Sequence, residues 1–170
     1  VGSYTLVAVA HGLTVIAVEP HFANYARLCH NLALNGWLDR ALVLPAVLGD
    51  TAAVEWFHYT DLRPGTARHT VGGERKITHH RQQVVKQTLD SMGALVPPGQ
   101  AIAVKIDVDG GEAPVLRGAT AMLRDPRLQG IMLEMPRSAE LEISGFLDAA
   151  GWRLAQRFDT RQGQQIPEIV

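Results

Sequence analysis

The chain has 170 residues, 46% of them apolar, and its 16 basic and 17 acidic residues leave a net charge of -1 at neutral pH. This size and apolar content suit one domain with a buried core. The balanced charge, with no basic block, argues against a nucleic-acid or membrane partner and leaves a small molecule as the expected one. No apolar run reaches membrane-spanning length, and the single cysteine, Cys29, excludes an internal disulfide, so we expect a cytoplasmic protein.

The first half of the chain predicts alternating helices and strands, followed by a long polar segment. The predicted elements are a helix over residues 4–10, a strand over 14–19, a helix over 22–34, strands over 41–48 and 54–59, and a loop over 60–83. The two neighbouring strands form either a hairpin or sequential strands of one sheet. The loop is rich in Arg, His, Gly and Thr, and its length suggests a substrate-recognition lid, with a plain solvated loop as the alternative.

The second half continues the alternation. It predicts a strand over residues 84–89, a short helix over 90–96, a buried strand from 101, a helix over 112–123, a strand over 130–135, a helix over 139–150 and a strand over 152–158. Strands that alternate with helices of this length form right-handed crossovers. The predicted fold class is therefore α/β, with a doubly wound, mostly parallel sheet.

The stretch AIAVKIDVDGGE, residues 101–112, combines a buried strand with charged residues at its end. The Ile, Val and Ala run suits a strand covered on both faces, and Lys105, Asp107 and Asp109 follow where the run stops. Open α/β sheets bind ligands at the carboxyl ends of their strands. The chemistry of the protein is therefore expected at this position.

A second acidic residue, Glu19, ends the predicted strand over residues 14–19, seventeen residues after Gly2. In nucleotide-binding α/β folds, a carboxylate at this place accepts hydrogen bonds from both ribose hydroxyls. The pattern therefore indicates a ligand of the adenosine type. The alternative is an ordinary charged residue beside Pro20. Gly2 is also the only remnant of the glycine-rich turn that should precede the first helix.

Several motifs together resemble one protein family. They are GSYT at residues 2–5, VIAVEP at 15–20, NLALNG at 31–36, TLD at 88–90 and KIDVDGGEAPVLRG at 105–118. Their order and spacing are similar to those of the FkbM-type S-adenosylmethionine-dependent methyltransferases. The resemblance implies a Rossmann-like class I methyltransferase fold. It also implies S-adenosylmethionine as cofactor and methyl transfer to a hydroxyl of a sugar or secondary metabolite.

The resemblance also assigns roles to particular residues. Gly2 and Tyr4 belong to the glycine loop that holds the cofactor, Glu19 and Pro20 to the ribose position, and Val47 to the adenine position. The family's first strand and its Asp-x-Gly-Ala-Asn segment before Gly2 are absent from this sequence. The resemblance therefore implies a fragment that lacks the first strand.

Asp107 and Lys105 are, by the same resemblance, the candidate catalytic residues beside the transferred methyl group. Asp107 is expected to act as the base or to orient the substrate, with N-terminal capping of the helix near Glu112 as the alternative. Lys105 is expected to pair with a carboxylate or to meet the substrate. Asp109 stands where the family usually has Glu.

No metal site is predicted. A calcium loop starting at Asp107 would need a bidentate Glu at its twelfth position, which is Gly118, and His69, His79 and His80 lack a carboxylate or cysteine to complete a set. A haloacid-dehalogenase-like phosphotransferase is a weaker enzyme alternative, because Gly111 occupies the position where that class needs a hydroxyl. The alternative from another class is a non-catalytic Rossmann-like domain without a cofactor.

Overall fold

The structure is a computed structural model, and it describes residues 1–65, the backbone of 69–71, and residues 80–158. Five α-helices are present in these ranges: α1 (Ser3–Ala10), α2 (Phe22–Leu34), α3 (Leu89–Gly93), α4 (Glu112–Arg117) and α5 (Glu140–Ala149). The strands described there are β1 (Val15–Val18), β2 (Ala41–Leu44), β3 (Ala46–Leu48), β4 (Ala53–Tyr59), β5 (His69–Val71), β6 (His80–Gln87), β7 (Ile102–Ile106) and β8 (Leu128–Leu133).

The strands form three sheets. β1 pairs with β2 in parallel, and β7 pairs with β8 in parallel. The third sheet has the order β3-β6-β4-β5, in which β3 and β6 run parallel and β4 runs antiparallel to both of its neighbours. The predicted α/β class is therefore confirmed, while the single doubly wound sheet remains a prediction, because no described strand joins the two parallel pairs.

The predicted strand over residues 41–48 is divided at Pro45 into β2 and β3, which belong to different sheets. Proline has no N–H to donate and a fixed φ, so the chain changes sheet at this residue. The hairpin prediction for residues 41–48 and 54–59 is wrong, because β6 lies between β3 and β4. The alternative, that these segments share one sheet, holds for β3 and β4.

The predicted loop over residues 60–83 is wrong at its C-terminal end. β6 begins at His80 and pairs with β4 from Tyr59 to Ala53, and the short strand β5 adds to the outer edge of β4. The polar sequence HRQQ at the start of β6 hid this strand, because its Arg81 and Gln83 side chains lie on an exposed face. Residues 66–68 and 72–79, which are part of the suggested lid, lie outside the described residues.

Two further predictions need correction. The helix expected over residues 112–123 ends at Arg117 and resumes as a 3-10 turn at Met122–Arg124. The strand expected over residues 152–158 is wrong, since these residues form no strand. Trp152 instead packs against the main core, and its Nε1 donates a hydrogen bond to the Leu123 carbonyl at 3.0 Å.

The main core lies between β7, β8 and helices α3, α4 and α5. Its most completely buried side chains are Val115, Leu116 and Ile143. Ile16 and Val18 of β1 pack against the same core, so the first parallel pair is attached to the second through side chains. Among the described residues, no helix combines the length and the apolar character that crossing a membrane requires.

Candidate functional site

Lys105 is the centre of a charged cluster at the ends of β7 and β8. Its Nζ lies 2.8 Å from Oδ2 of Asp107 and 3.4 Å from Oε1 of Glu134. Its ammonium also lies 4.2 Å from the ring centroid of Tyr4, a cation–π contact. The cluster therefore draws residues from the start of α1 and from the segments that follow two parallel strands.

The pairing of β7 with β8 explains why Glu134 belongs to this cluster. Lys105 is in register with Met132, and the next pair is Ile106 with Leu133. The Glu134 N–H then donates a hydrogen bond to the Ile106 carbonyl at 3.0 Å. This bond lies just beyond the last paired residues of the two strands. Glu134 is consequently held beside the end of β7, as Asp107 is.

The two carboxylate side chains of the cluster are more exposed to solvent than the lysine side chain between them. The Lys105 side chain is only 18% exposed, whereas the side chains of Asp107 and Glu134 are 49% and 47% exposed. Lysine commonly packs its methylene stem against the protein in this way while its charged end reaches polar surroundings. The arrangement offers carboxylate oxygens to a ligand at the strand ends.

The turn after Asp107 is fixed by a buried carboxylate. Asp109 has a left-handed φ of 50°, and the following Gly110 N–H donates to Oε1 of Glu112 at 3.0 Å. Glu112 is 2% exposed. Helix α4 has Gly111 as its N-cap residue and no side-chain cap. The capping role considered for Asp107 is therefore wrong, and its contact is with Lys105.

Glu19 follows β1 and lies in a partly desolvated position. Its backbone N–H donates to the Leu44 carbonyl, and its Oε1 accepts the His21 N–H at 2.9 Å. Burial raises the pKa of Glu19 above its ordinary value of 4.5, although the His21 N–H and the Asn24 side chain each act to lower that pKa. Further hydrogen bonds to this carboxylate would favour its charged form.

His21, next to Glu19, is fully buried and joins three parts of the chain. Its Nδ1 accepts the Asn24 N–H at 3.4 Å as the N-cap of α2, and its Nε2 lies 3.0 Å from the Asp61 carbonyl. This pattern assigns the proton to Nε2. The ring also contacts Tyr59 edge to face, with centroids 4.8 Å apart. His21 therefore fixes the segment after β4 against the segment after β1.

Two more polar contacts strengthen this attachment. Oδ1 of Asn24 accepts the Gly65 N–H at 2.8 Å, and Nε2 of Gln82 donates to the Pro20 carbonyl at 2.6 Å. The segment after β4 and the start of β6 are thus both hydrogen-bonded to residues close to Glu19 in the sequence. The side chain of Asp61 binds Arg63, and these hydrogen bonds lower the pKa of Asp61 to about 2.

The start of α1 connects the Glu19 region with the Lys105 cluster. Gly2 has a left-handed φ of 75°, and a Cβ there would lie 2.4 Å from Cδ1 of Leu28, so the close approach to α2 requires glycine. On one side, Leu6 and Val9 of α1 pack in one apolar cluster with Val15 and Ala17 of β1, the strand that Glu19 follows. On the other side, Tyr4 covers Lys105. The structure thus joins Tyr4 and Asp107 through Lys105 and places Gly2 just before the same helix, while Glu19 follows the strand packed beside that helix.

The other predictions are placed differently. Val47 is 4% exposed and packs with Phe57, Tyr59 and Val84, so a contact with adenine stays a prediction. No group of three or more His, Cys, Asp or Glu side chains in the described ranges could hold a metal ion. His79 and the side chain of His69 lie outside those ranges. A hollow of about 230 Å³ between α4 and α5 includes none of the predicted site residues.

Sequence reasoning missed His21, Asn24 and Glu134. Glu134 carried the signal that identified Asp107, a charge at the end of an apolar strand, but the predicted strand ran past it to residue 135. His21 carried little signal, because histidine is not among the preferred N-cap residues. Asn24 gave none, since its position inside a helix is ordinary.

Comparison with known proteins gives one result. A family model described as a methyltransferase FkbM domain matches residues 2–161, which is nearly the whole chain. No significant match to a curated protein or to a solved structure was found. The match includes the start of α1, Glu19, the Lys105 cluster and Glu134.

Proposed function

We propose that this chain, which belongs to the FkbM methyltransferase family, transfers a methyl group from S-adenosylmethionine to a hydroxyl oxygen of a small molecule such as a sugar or a secondary metabolite. The family supports methyltransferase activity in general. The donor, the oxygen acceptor and the residue roles are the proposal. The observation that carries it is that α1 packs beside β1, the strand before Glu19, and also contacts the Lys105 cluster through Tyr4.

The residues near Glu19 fit the ribose of such a cofactor. The pKa of Glu19 is raised by burial, and a partly desolvated carboxylate gains from the two donors that ribose hydroxyls supply. Glu19 would therefore hold the ribose, with Gly2, Tyr4 and Pro20 as neighbours. When bound, S-adenosylmethionine supplies an electrophilic methyl group on a sulfonium.

The Lys105 cluster fits the acceptor side of the reaction. Asp107 would accept the hydrogen bond of the acceptor hydroxyl and then take its proton as the oxygen gains the methyl group. The half-exposed carboxylate can pass that proton to solvent. Lys105 keeps the Asp107 side chain in one orientation. Holding the methyl donor and the acceptor hydroxyl in line contributes roughly 7 to 11 kcal/mol to reactions of this kind.

Calorimetric titration with S-adenosylhomocysteine tests the proposal, after circular dichroism has established that the chain is folded. Saturable one-to-one binding supports it. Glu19→Ala should weaken this binding by about 1 to 3 kcal/mol, the loss expected for a charged hydrogen-bond partner. Glu142→Ala is the matched control, because this exposed carboxylate pairs with Arg117 away from the site. A folded chain that binds no S-adenosylhomocysteine would instead favour the non-catalytic alternative.

A further inference from the structure

We propose that Glu134 is a second acceptor-binding residue, that it acts with Asp107 on a hydroxylated acceptor without negative charge, and that Lys105 positions both carboxylates. The inference rests on the function proposed above. To that function it adds Glu134, which follows β8, as an acceptor-binding residue. It also specifies that the acceptor is neutral or cationic. Three observations carry it: the shared ammonium, the exposure of the carboxylates and their unpaired oxygens.

The shared ammonium fixes how far apart the carboxylates can lie. Lys105 Nζ contacts one oxygen of Asp107 at 2.8 Å and one of Glu134 at 3.4 Å. These two oxygens are therefore separated by no more than the sum of the two distances. A single small molecule can reach both carboxylates at once. Tyr4 covers Lys105 from another side and limits the movement of the ammonium.

The second oxygen of each carboxylate is available to a ligand. Among the described residues, Oδ1 of Asp107 and Oε2 of Glu134 have no hydrogen-bond partner, and both side chains are about half exposed. An ionised carboxylate only accepts hydrogen bonds, so its natural partner is a hydroxyl or ammonium donor. The pair is thus suited to two hydroxyl groups of one acceptor.

The charges of the cluster oppose an anionic acceptor. Two carboxylates face one ammonium, and the Lys105 side chain is less exposed than either carboxylate side chain. A phosphate or carboxylate on the acceptor would meet the exposed negative charges, and like charges brought together disfavour the wrong partner. Neutral or cationic polyols meet no such penalty.

In the transfer step itself, one acceptor oxygen forms a bond to the methyl carbon while the bond from that carbon to the donor sulfur breaks. The electron pair of the broken carbon–sulfur bond stays on sulfur. The hydroxyl proton leaves to Asp107 and then to water. Glu134 remains a hydrogen-bond acceptor for the neighbouring hydroxyl throughout. It contributes orientation, so its loss should act mainly on acceptor binding.

Saturation-transfer NMR on the chain loaded with S-adenosylhomocysteine tests this inference. The probes are methyl α-D-glucopyranoside, which is neutral, D-glucosamine, which is cationic, and D-glucose 6-phosphate, which is anionic. We expect binding of the first two and much weaker binding of the third. Equal binding of the phosphate probe, or no binding of any probe by a chain that does bind S-adenosylhomocysteine, overturns the inference. Failure to bind S-adenosylhomocysteine is a failure of the proposed function and is seen separately, by calorimetry.

Variants separate the roles of the two residues. Glu134→Gln should weaken binding of the neutral probe by about tenfold, the loss of one hydrogen bond to a charged group, and should reduce the bias against the phosphate probe. Its affinity for S-adenosylhomocysteine should stay unchanged, and Glu142→Gln should change neither property. If the Glu134→Gln chain binds the probes with wild-type affinity and selectivity, Glu134 is not part of the acceptor site.

A pair of Lys105 variants distinguishes positioning by the ammonium from packing by the side chain. Lys105→Met keeps the buried stem but removes the ammonium, so the carboxylates lose their common partner and neutral-probe binding should fall. Lys105→Arg restores a cation and should restore binding. Equal binding by the Met and Arg variants would overturn the positioning role, because packing alone would then explain the residue.

Discussion

The ring of Tyr4 covers the ammonium of Lys105, with 4.2 Å between the ring centroid and Nζ. Tyr4 lies in the first turn of α1, and Lys105 lies near the end of β7, so residues a hundred positions apart share one contact. The contact ties helix α1, which packs beside β1, the strand before Glu19, to the cluster that contains Asp107.

Replacing Tyr4 tests this contact. Tyr4→Ala removes the ring and should reduce stability by about 0.5 to 1 kcal/mol, the usual value of an exposed cation–π pair. Tyr4→Phe keeps the ring and should leave stability nearly unchanged. Urea unfolding of the three chains measures the difference. A loss in the Phe variant as large as in the Ala variant would mean that the hydroxyl, and not the ring, is the stabilising group.

Glu19→Gln should change stability in a pH-dependent way. Because burial raises the pKa of Glu19 in the folded chain, its protonated form is favoured by folding. That stability is fully present below the unfolded pKa, near the ordinary value of 4.5, and is lost as the pH rises through the raised pKa. At pH 7 the charged carboxylate therefore opposes folding, and the neutral amide should not.

The expected result is that Glu19→Gln is at least as stable as wild type at pH 7 and loses this advantage in acid. Urea unfolding at a series of pH values measures it, with Glu142→Gln as the exposed control. The same variant should bind S-adenosylhomocysteine more weakly, since a neutral amide is a poorer partner for ribose hydroxyls. A variant less stable than wild type at pH 7 would show that the hydrogen bonds from His21 and Asn24 outweigh burial.

The sequence predicted the elements whose physics is local. β1 and β7 are apolar runs rich in β-branched residues, β8 ends in the apolar run Ile131 to Leu133, and α2 has the spacing of a helix with one buried face, so local patterns located them. Asp107 and Glu19 were found because charge at the end of such a strand has few structural explanations. These predictions did not depend on how the elements pack together.

What could not be predicted depends on pairing between distant segments. Glu134 joins Lys105 only because β7 and β8 adopt one particular register, and no local pattern sets that register. β6 begins with four polar residues, and its strand character comes from pairing with β4. Pro45 was visible as a proline, but the change of partner from β1 to β6 on either side of it was not.

The close approach of two turns makes Gly118 sensitive to substitution. A Cβ at Gly118 would lie 2.1 Å from the Gly49 carbonyl oxygen, which belongs to the backbone and cannot rotate away. Gly118→Ala should therefore destabilise the chain by about 1 to 3 kcal/mol or more, as overpacking does. Gly145→Ala is the matched control, since nothing lies within 4 Å of a Cβ there.

Gly145 lies inside α5, so its replacement by alanine should stabilise the chain by about 0.5 to 1 kcal/mol through helix propensity. Thermal unfolding of both variants gives the comparison. Opposite signs for the two substitutions support the described approach of α4 to the turn at Gly49. A neutral Gly118→Ala would mean that these turns can move apart without cost.

His21 is expected to determine the stability of the segment after β4 as well as that of α2. His21→Ala removes the N-cap, the contact with the Asp61 carbonyl and a fully buried ring, and should cost about 2 to 4 kcal/mol. His21→Asn can still cap α2 but cannot fill the space of the ring or reach Asp61, so it should recover only part of the loss.

Hydrogen exchange distinguishes these contributions of His21. In both variants, amides of residues 59–65 should exchange faster than in wild type, whereas amides in the first turn of α2 should be affected mainly by His21→Ala. His30→Ala, an exposed histidine of the same helix, should stay within about 0.5 kcal/mol of wild type. If residues 59–65 keep their protection in His21→Ala, the bonds from Asn24 to Gly65 and from Gln82 to Pro20 are sufficient to hold that segment beside Glu19.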